Sequence, residues 1–137
     1  MAEHAPAGPD PAHQLDRADR LERAVARDGS ACVWCGRELG GLVRPTTDHL
    51  VPRVKGGPSW LENEVAACRR CNGERGHTSP VDWLLECRRR GWPADPGWLR
   101  RRLEELDAAV TARGGQRRAR PYVQAQLRRV RRSAGAA

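Results

Sequence analysis

The sequence predicts an α+β protein, with a small core of two short strands and a short helix, stapled together and flanked by a leading helix and C-terminal amphipathic helices. Three observations carry that prediction. Two C-x-x-C pairs, Cys32/Cys35 and Cys68/Cys71, bracket residues 36–67. Inside the bracket the apolar runs are short and separated by Gly and Pro, which favours brief strands and turns over helix. Outside it, apolar residues recur every three to four positions, the period of a helix with one buried face.

Residues 1–10, rich in Pro, Ala and Gly and without periodicity, are expected to be a disordered tail. Leu15, Ala18, Leu21 and Val25 then mark a helix that Asp28-Gly29 ends. Leu42-Val43 and Leu50-Val51, set apart by Gly40-Gly41, Pro45 and Gly56-Gly57-Pro58, read as an irregular two-stranded ribbon ahead of a loop containing Asn63. Cys68 to Arg75 reads as a short helix closed by Gly76. Ser79-Pro80-Val81-Asp82 opens the next helix with a capping box and proline at its first position. Val81, Leu84 and Leu85 form its apolar stripe, and Arg88, Arg89 and Arg90 suit its C-terminal dipole. Asp95-Pro96 starts a helix with Leu99, Leu103, Leu106 and Val110 on one face, ended by Gly114-Gly115. Val123, Leu127 and Val130 repeat the spacing after Pro121. There is no internal repeat.

Two residues between cysteines is the spacing at which both thiolates reach one tetrahedral ion at about 2.3 Å, and two pairs complete a closed site. Four sulfur ligands leave no open position, so such a zinc ion would hold the fold and do no chemistry. The intervening stretch exceeds the roughly 15–20 residues usual between such pairs, so the ion would clamp the ends of a substantial loop. Disulfides are the alternative reading. The odd number of cysteines, five, and the lack of a charged-apolar-small leader pattern favour zinc. Cys87 stands apart and reads as a packed or half-exposed thiol.

A chain of 137 residues that is 39% hydrophobic, with no Phe and one Tyr, can bury only a small core, so a metal staple would assist folding. Nothing approaches the run of about 18 apolar residues a membrane span needs. A soluble, cytoplasmic protein without a membrane partner is therefore expected. The net charge is +8, nearly all from arginine, with Lys55 the only lysine. Arginine's planar fork suits phosphate oxygens, so the excess points to a polyanion. No acidic residue occurs from Ala108 onward, while Arg117, Arg118, Arg120, Arg128 and Arg129 fall there and are candidate nucleic-acid contacts. A solvated basic tail without a partner is the bland alternative.

The order C-x-x-C, Asp48-His49-Leu50-Val51-Pro52, Gly56-Gly57, Asn63 and Cys68-Arg69-Arg70-Cys71-Asn72-Gly73-Glu74-Arg75-Gly76 closely resembles the HNH endonuclease family, whose core is the ββα-metal fold. The resemblance covers roughly residues 28–86. It implies that His49 is the general base, that Asp48 and Asn72 hold a catalytic magnesium or another divalent ion, and that Asn63 steadies the base by bonding loop backbone. An imidazole with an unperturbed pKa of about 6.5 can take a proton from water at neutral pH, and oxygen donors suit a hard cation. Asp48 and His49, adjacent on an extended segment, should point to opposite sides. Arg75, where the family often has lysine, is a candidate phosphate contact, and His77 reads as a loop residue. Trp34 and Trp60 are expected to pack against the stapled core, and Gly56 and Gly57 to serve a turn.

The implied organisation is a tail over 1–10, a nuclease domain with its leading helix over 11–92, and a basic helical extension over 93–137. The implied reaction is metal-assisted phosphodiester hydrolysis, leaving 5′-phosphate and 3′-hydroxyl ends, with DNA as partner and RNA open. Two other classes compete: an inactive zinc-stapled nucleic-acid-binding module and a zinc-dependent protein-interaction domain.

Overall fold

The computed structural model describes residues 15–135, with side chains to Arg132; the tail expected over 1–10 lies outside them. The elements run α1 (Arg17–Asp28), β1 (Pro45–His49), β2 (Glu64–Cys68), α2 (Arg69–Arg75), α3 (Pro80–Arg89), α4 (Pro96–Arg113) and α5 (Ala119–Gly135). Two single-turn 3-10 helices, Arg53–Lys55 and Leu61–Asn63, lie in the β1–β2 connection. The class is α+β. The strands pair antiparallel, with Pro45 opposite Cys68, Thr47 opposite Ala66 and His49 opposite Glu64. Sheet and short helix are thus contiguous in the chain: β2 ends on Cys68, whose sulfur caps α2 by accepting from the Cys71 backbone N–H at 3.4 Å.

The ribbon differs from the sequence expectation. Its second strand follows Asn63 instead of preceding it, and Leu42, expected in the ribbon, is fully exposed. The run Glu-Val-Ala-Ala-Cys has no polar alternation because all five residues are buried, one face under α1 and the other in the core. A strand covered on both faces loses the period-2 signature that marks a half-buried one.

The inward face of α1 also differs. Leu15, Leu21 and Val25 are only half-buried and Ala18 is exposed, whereas Ala24 is fully buried. Flanking Ala24, Arg20 donates to Glu64 Oε1 at 2.7 Å, and Arg27 donates to the carbonyls of Leu61 and Glu64 at 3.0 and 2.8 Å. Arginine stems cover apolar surface while their heads satisfy buried acceptors, so a face that reads as solvated turns inward. On α3 the buried aromatic Trp83 takes the place expected of Leu85, which is exposed. The stripes Leu99/Leu103/Leu106/Val110 and Val123/Leu127/Val130 are buried as their spacing predicts, and α4 packs on α5.

One continuous core runs from Cys32 and Trp34 through Leu50, Val51 and Val65 to Leu103 and Val123. Trp34 meets Trp98 of α4 edge to face at 5.5 Å, which joins the cysteine end to the C-terminal helices. Among the described residues no helix is long and apolar enough to cross a membrane.

Two glycines fix the loop beneath β1. Gly56 closes a 3-10 turn at φ +88°, and Gly57 lies so close to Val51 that a Cβ would sit 1.8 Å from the Val51 carbonyl oxygen. Gly57→Ala should therefore destabilise the fold by about 2 kcal/mol or more, while Gly73→Ala, on an open helix face, should be neutral or stabilising by up to about 1 kcal/mol. Urea melts of the two variants check this; equal midpoints would refute the close approach.

Candidate active site and metal centre

The four cysteine sulfurs of Cys32, Cys35, Cys68 and Cys71 lie within 4.8 Å of one another, with Cys35 and Cys68 at 3.9 Å, and none is in a disulfide. Tetrahedral zinc at about 2.3 Å from each sulfur requires sulfur separations of about 3.8 Å, so the cluster needs only a slight contraction. The Cys71 thiol bonding to Cys32 drives the Cys32 thiol down to about 4, and the same bond raises Cys71. A divalent ion would take the place of such thiol protons on binding. Arg37 adds a donor to Cys68 Sγ at 3.3 Å. The chemistry of the set fits a closed structural metal site.

Asn63 staples the loop that follows β1. Fully buried, it accepts from Val51 N–H at 2.9 Å through Oδ1 and donates to the carbonyls of Val51 and Pro58 at 3.2 and 2.9 Å through Nδ2. Its backbone carbonyl also accepts from Leu50 N–H at 2.8 Å. The loop thus leaves β1 on a fixed path, and the exit angle of His49 is set with it.

Asp48 and His49 take different surroundings, as alternation along a strand requires. Asp48 is 3% exposed; Oδ2 accepts from Trp34 Nε1 and Oδ1 from Arg75 Nη1, both at 2.8 Å. Burial pushes its carboxyl above the usual range, and the neighbouring guanidinium pulls the other way. A carboxylate offers about four lone-pair sites, so these two bonds leave acceptor capacity for a further cation. Asn72 donates through Nδ2 to the Thr47 carbonyl at 3.2 Å, which sets its amide beside the strand carrying Asp48. Carboxylate and amide oxygens are the hard donors a magnesium-like ion takes, so the pair fits such an ion in kind. A groove of about 790 Å³ runs past Asn72, lined also by Arg17, Thr46, Thr47 and Arg69.

His49 keeps 17% of its side chain exposed, and its Nε2 lies 3.2 Å from Ser59 Oγ and 3.3 Å from Glu64 Oε2. Burial and then the charges of Arg53, Arg20, Arg17 and Arg75 lower its pKa to about 4. The ring is thereby held in its neutral form at physiological pH.

With the geometry in place, comparison with known proteins is direct. The family model described as HNH endonuclease matches residues 32–82. That segment is similar to HNH endonuclease domains. The chain is 29% identical over 104 residues to the CRISPR-associated endonuclease Cas9 of Corynebacterium diphtheriae, an alignment covering 66% of this chain and 10% of that protein. With the Cas9 of Actinomyces naeslundii the identity is 34% over 76 residues, covering 53% of this chain and 7% of the relative. The chain thus spans a tenth or less of the length of these relatives.

Within the matched segment, Asp48 and His49 end β1, Asn63 bonds the loop that follows it, and Asn72 of α2 bonds the Thr47 carbonyl on the same strand. Arg75 corrects the sequence reading. It is 1% exposed, and its donors go to Asp48 and to the carbonyls of Thr78, His49 and Leu50 at 2.6–2.9 Å, so its guanidinium is committed inside the fold instead of standing as a surface cation. Of the C-terminal arginines, Arg117, Arg120 and Arg128 are exposed on or beside α5. Arg118 donates to the Val54 carbonyl. Arg129 pairs with Asp82 at 2.6 Å and so pins α5 to α3. Cys87 is fully buried, which pushes its thiol up to about 12. Glu64 and Arg20 were invisible as site residues in the sequence. Only the β1–β2 register, which places Glu64 opposite His49, could have flagged them.

The cysteine cluster should bind one zinc ion per chain by elemental analysis of purified protein. Cys68→Ser should lose it and most of the thermal transition, since binding at such sites supplies about 10 kcal/mol of folding free energy. The imidazole gives a separate test: folded His49 should titrate near pH 4 by NMR. An unfolded histidine takes its proton near about 6.5, so this group's contribution to stability is full above that pH and fades as pH falls toward 4. A native midpoint at or above 6.5 would contradict the assigned environment.

Proposed function

We propose that this chain is a metal-dependent HNH endonuclease that hydrolyses phosphodiester bonds in DNA, with His49 as general base. The observation that carries the reading is a neutral, partly exposed imidazole on β1, steadied by an Asn63-stapled loop inside the segment that matches the HNH endonuclease model. A base already neutral at pH 7 accepts the proton of an attacking water without first having to lose one. The resulting hydroxide attacks phosphorus, the bond to the 3′ oxygen breaks, that oxygen takes a proton from solvent water, and the products are a 5′-phosphate and a 3′-hydroxyl. Asp48 and Asn72 are the residues that would hold a divalent ion, which when bound supplies positive charge to the phosphate. The relatives' name, endonuclease, supports the reaction class. The net charge of +8 and the exposed Arg117, Arg120 and Arg128 support a polyanionic substrate.

One observation favours a second reading, an inactive zinc-stapled nucleic-acid-binding module: each Asp48 oxygen already accepts a hydrogen bond, one of them from a guanidinium. A divalent ion on Asp48 would have to share the carboxylate with Arg75. Cleavage of supercoiled plasmid in magnesium or manganese decides between them. The wild type should nick or linearise it, and His49→Ala should lose at least about 100-fold in rate. Salt-sensitive binding without cutting under either ion would establish the inactive module.

A further inference from the structure

We infer that Glu64 is a positioning residue for His49, anchored by Arg20 of α1, and that it fixes which imidazole nitrogen carries the proton. The inference rests on the reading of His49 as the base. Three facts converge on it. Glu64 is 0% exposed and stands directly across the sheet from His49. Its Oε1 accepts from Arg20 Nε at 2.7 Å, which locks the carboxylate in place. Its Oε2 is buried without a hydrogen-bond partner, and its ion contact is with His49 Nε2 at 3.3 Å.

A buried carboxylate oxygen without a donor costs about 1–3 kcal/mol or more, so any donor within reach is recruited. Nε2 meets that need only in the tautomer that carries its proton there. A slight ring rotation then makes the bond, and the lone pair is left on Nδ1, the nitrogen that takes the proton from water. Ser59 Oγ, 3.2 Å from the same Nε2, can turn its hydroxyl to accept alongside. Arg20 lies on α1, ahead of the segment matching the HNH model, so the anchor of Glu64 comes from outside that segment.

Glu64→Gln tests the idea with little change of shape. Arg20 should keep the amide oxygen, which turns the amide NH2 toward His49 Nε2 and makes that nitrogen an acceptor. The proton should then move to Nδ1. Long-range 1H–15N correlation at pH 7.5 reads the tautomer without any cleavage assay. Protonated Nε2 in the wild type and protonated Nδ1 in Glu64→Gln are expected. In plasmid cleavage kcat should fall by about 100-fold or more with KM unchanged, as follows when a base carries its proton on the wrong nitrogen.

If Glu64→Gln does not fold, Arg20→Met reads the same contact: the carboxylate loses its anchor, and the single tautomer should become a mixture. A wild-type ring protonated on Nδ1, or one protonated on Nε2 in every folded variant, would overturn the inference. If the wild type shows the expected tautomer switch and yet cuts no DNA, the nuclease reading fails while the Glu64 contact stands.

Discussion

The site depends on one buried guanidinium. Arg75 leaves the short helix α2 and binds the Asp48 carboxylate together with the carbonyls of His49 and Leu50, the residues at which β1 ends. Its Nε is spent on Thr78, just past the helix. Helix, strand end and following turn are thus tied through a planar group whose donors point in fixed directions, which a lysine could not reproduce. Such a pair is costly to assemble and costlier to break. Removing one partner of a buried ion pair typically costs about 3–5 kcal/mol, because the other charge stays behind unpaired. Within the short sequence between Asp48 and Arg75, that penalty is what keeps α2 against β1.

The cysteine cluster works at the other end of the same helix. Cys68 ends β2 and caps α2, and Cys71 lies in the helix's first turn, so a metal there would anchor the N-terminus of α2 while Arg75 anchors its C-terminus. A seven-residue helix has no stability of its own in water. Held at both ends it can carry Asn72 at a set position beside β1. The C-terminal helices then extend the same core, and Trp34, bonded to Asp48 and packed on Trp98, links the two.

What the sequence made legible follows from which signals are local. The cysteine spacing, the caps at Ser79 and Asp95, and the apolar stripes of α4 and α5 depend on residues a few positions apart, and each is found in the structure. The order of Asp48, His49, Asn63 and Asn72 was readable as a family pattern for the same reason. The misses are all non-local. β2 is buried on both faces and so carries no alternation. Arg20, Arg27 and Arg75 turn inward to meet acceptors between 25 and 44 positions away, while every sequence rule places arginine in solvent. Glu64 looked like an ordinary charge until strand register set it across from His49.

Those inward arginines change the meaning of the net charge. Arg20, Arg27 and Arg75 are consumed in building the site, where they neutralise Glu64 and Asp48 and satisfy strand-end carbonyls. Their remaining influence is felt by His49, whose ring is held neutral by burial and by the field of Arg53, Arg20, Arg17 and Arg75. The same field that suits an anionic phosphate therefore also keeps this imidazole free of a proton, the form in which it could take one from water. A site built only of acidic ligands would favour the protonated imidazole and lose the base. This chain instead sets a guanidinium against each of Asp48 and Glu64, which offsets the pull of either carboxylate toward a charged imidazole.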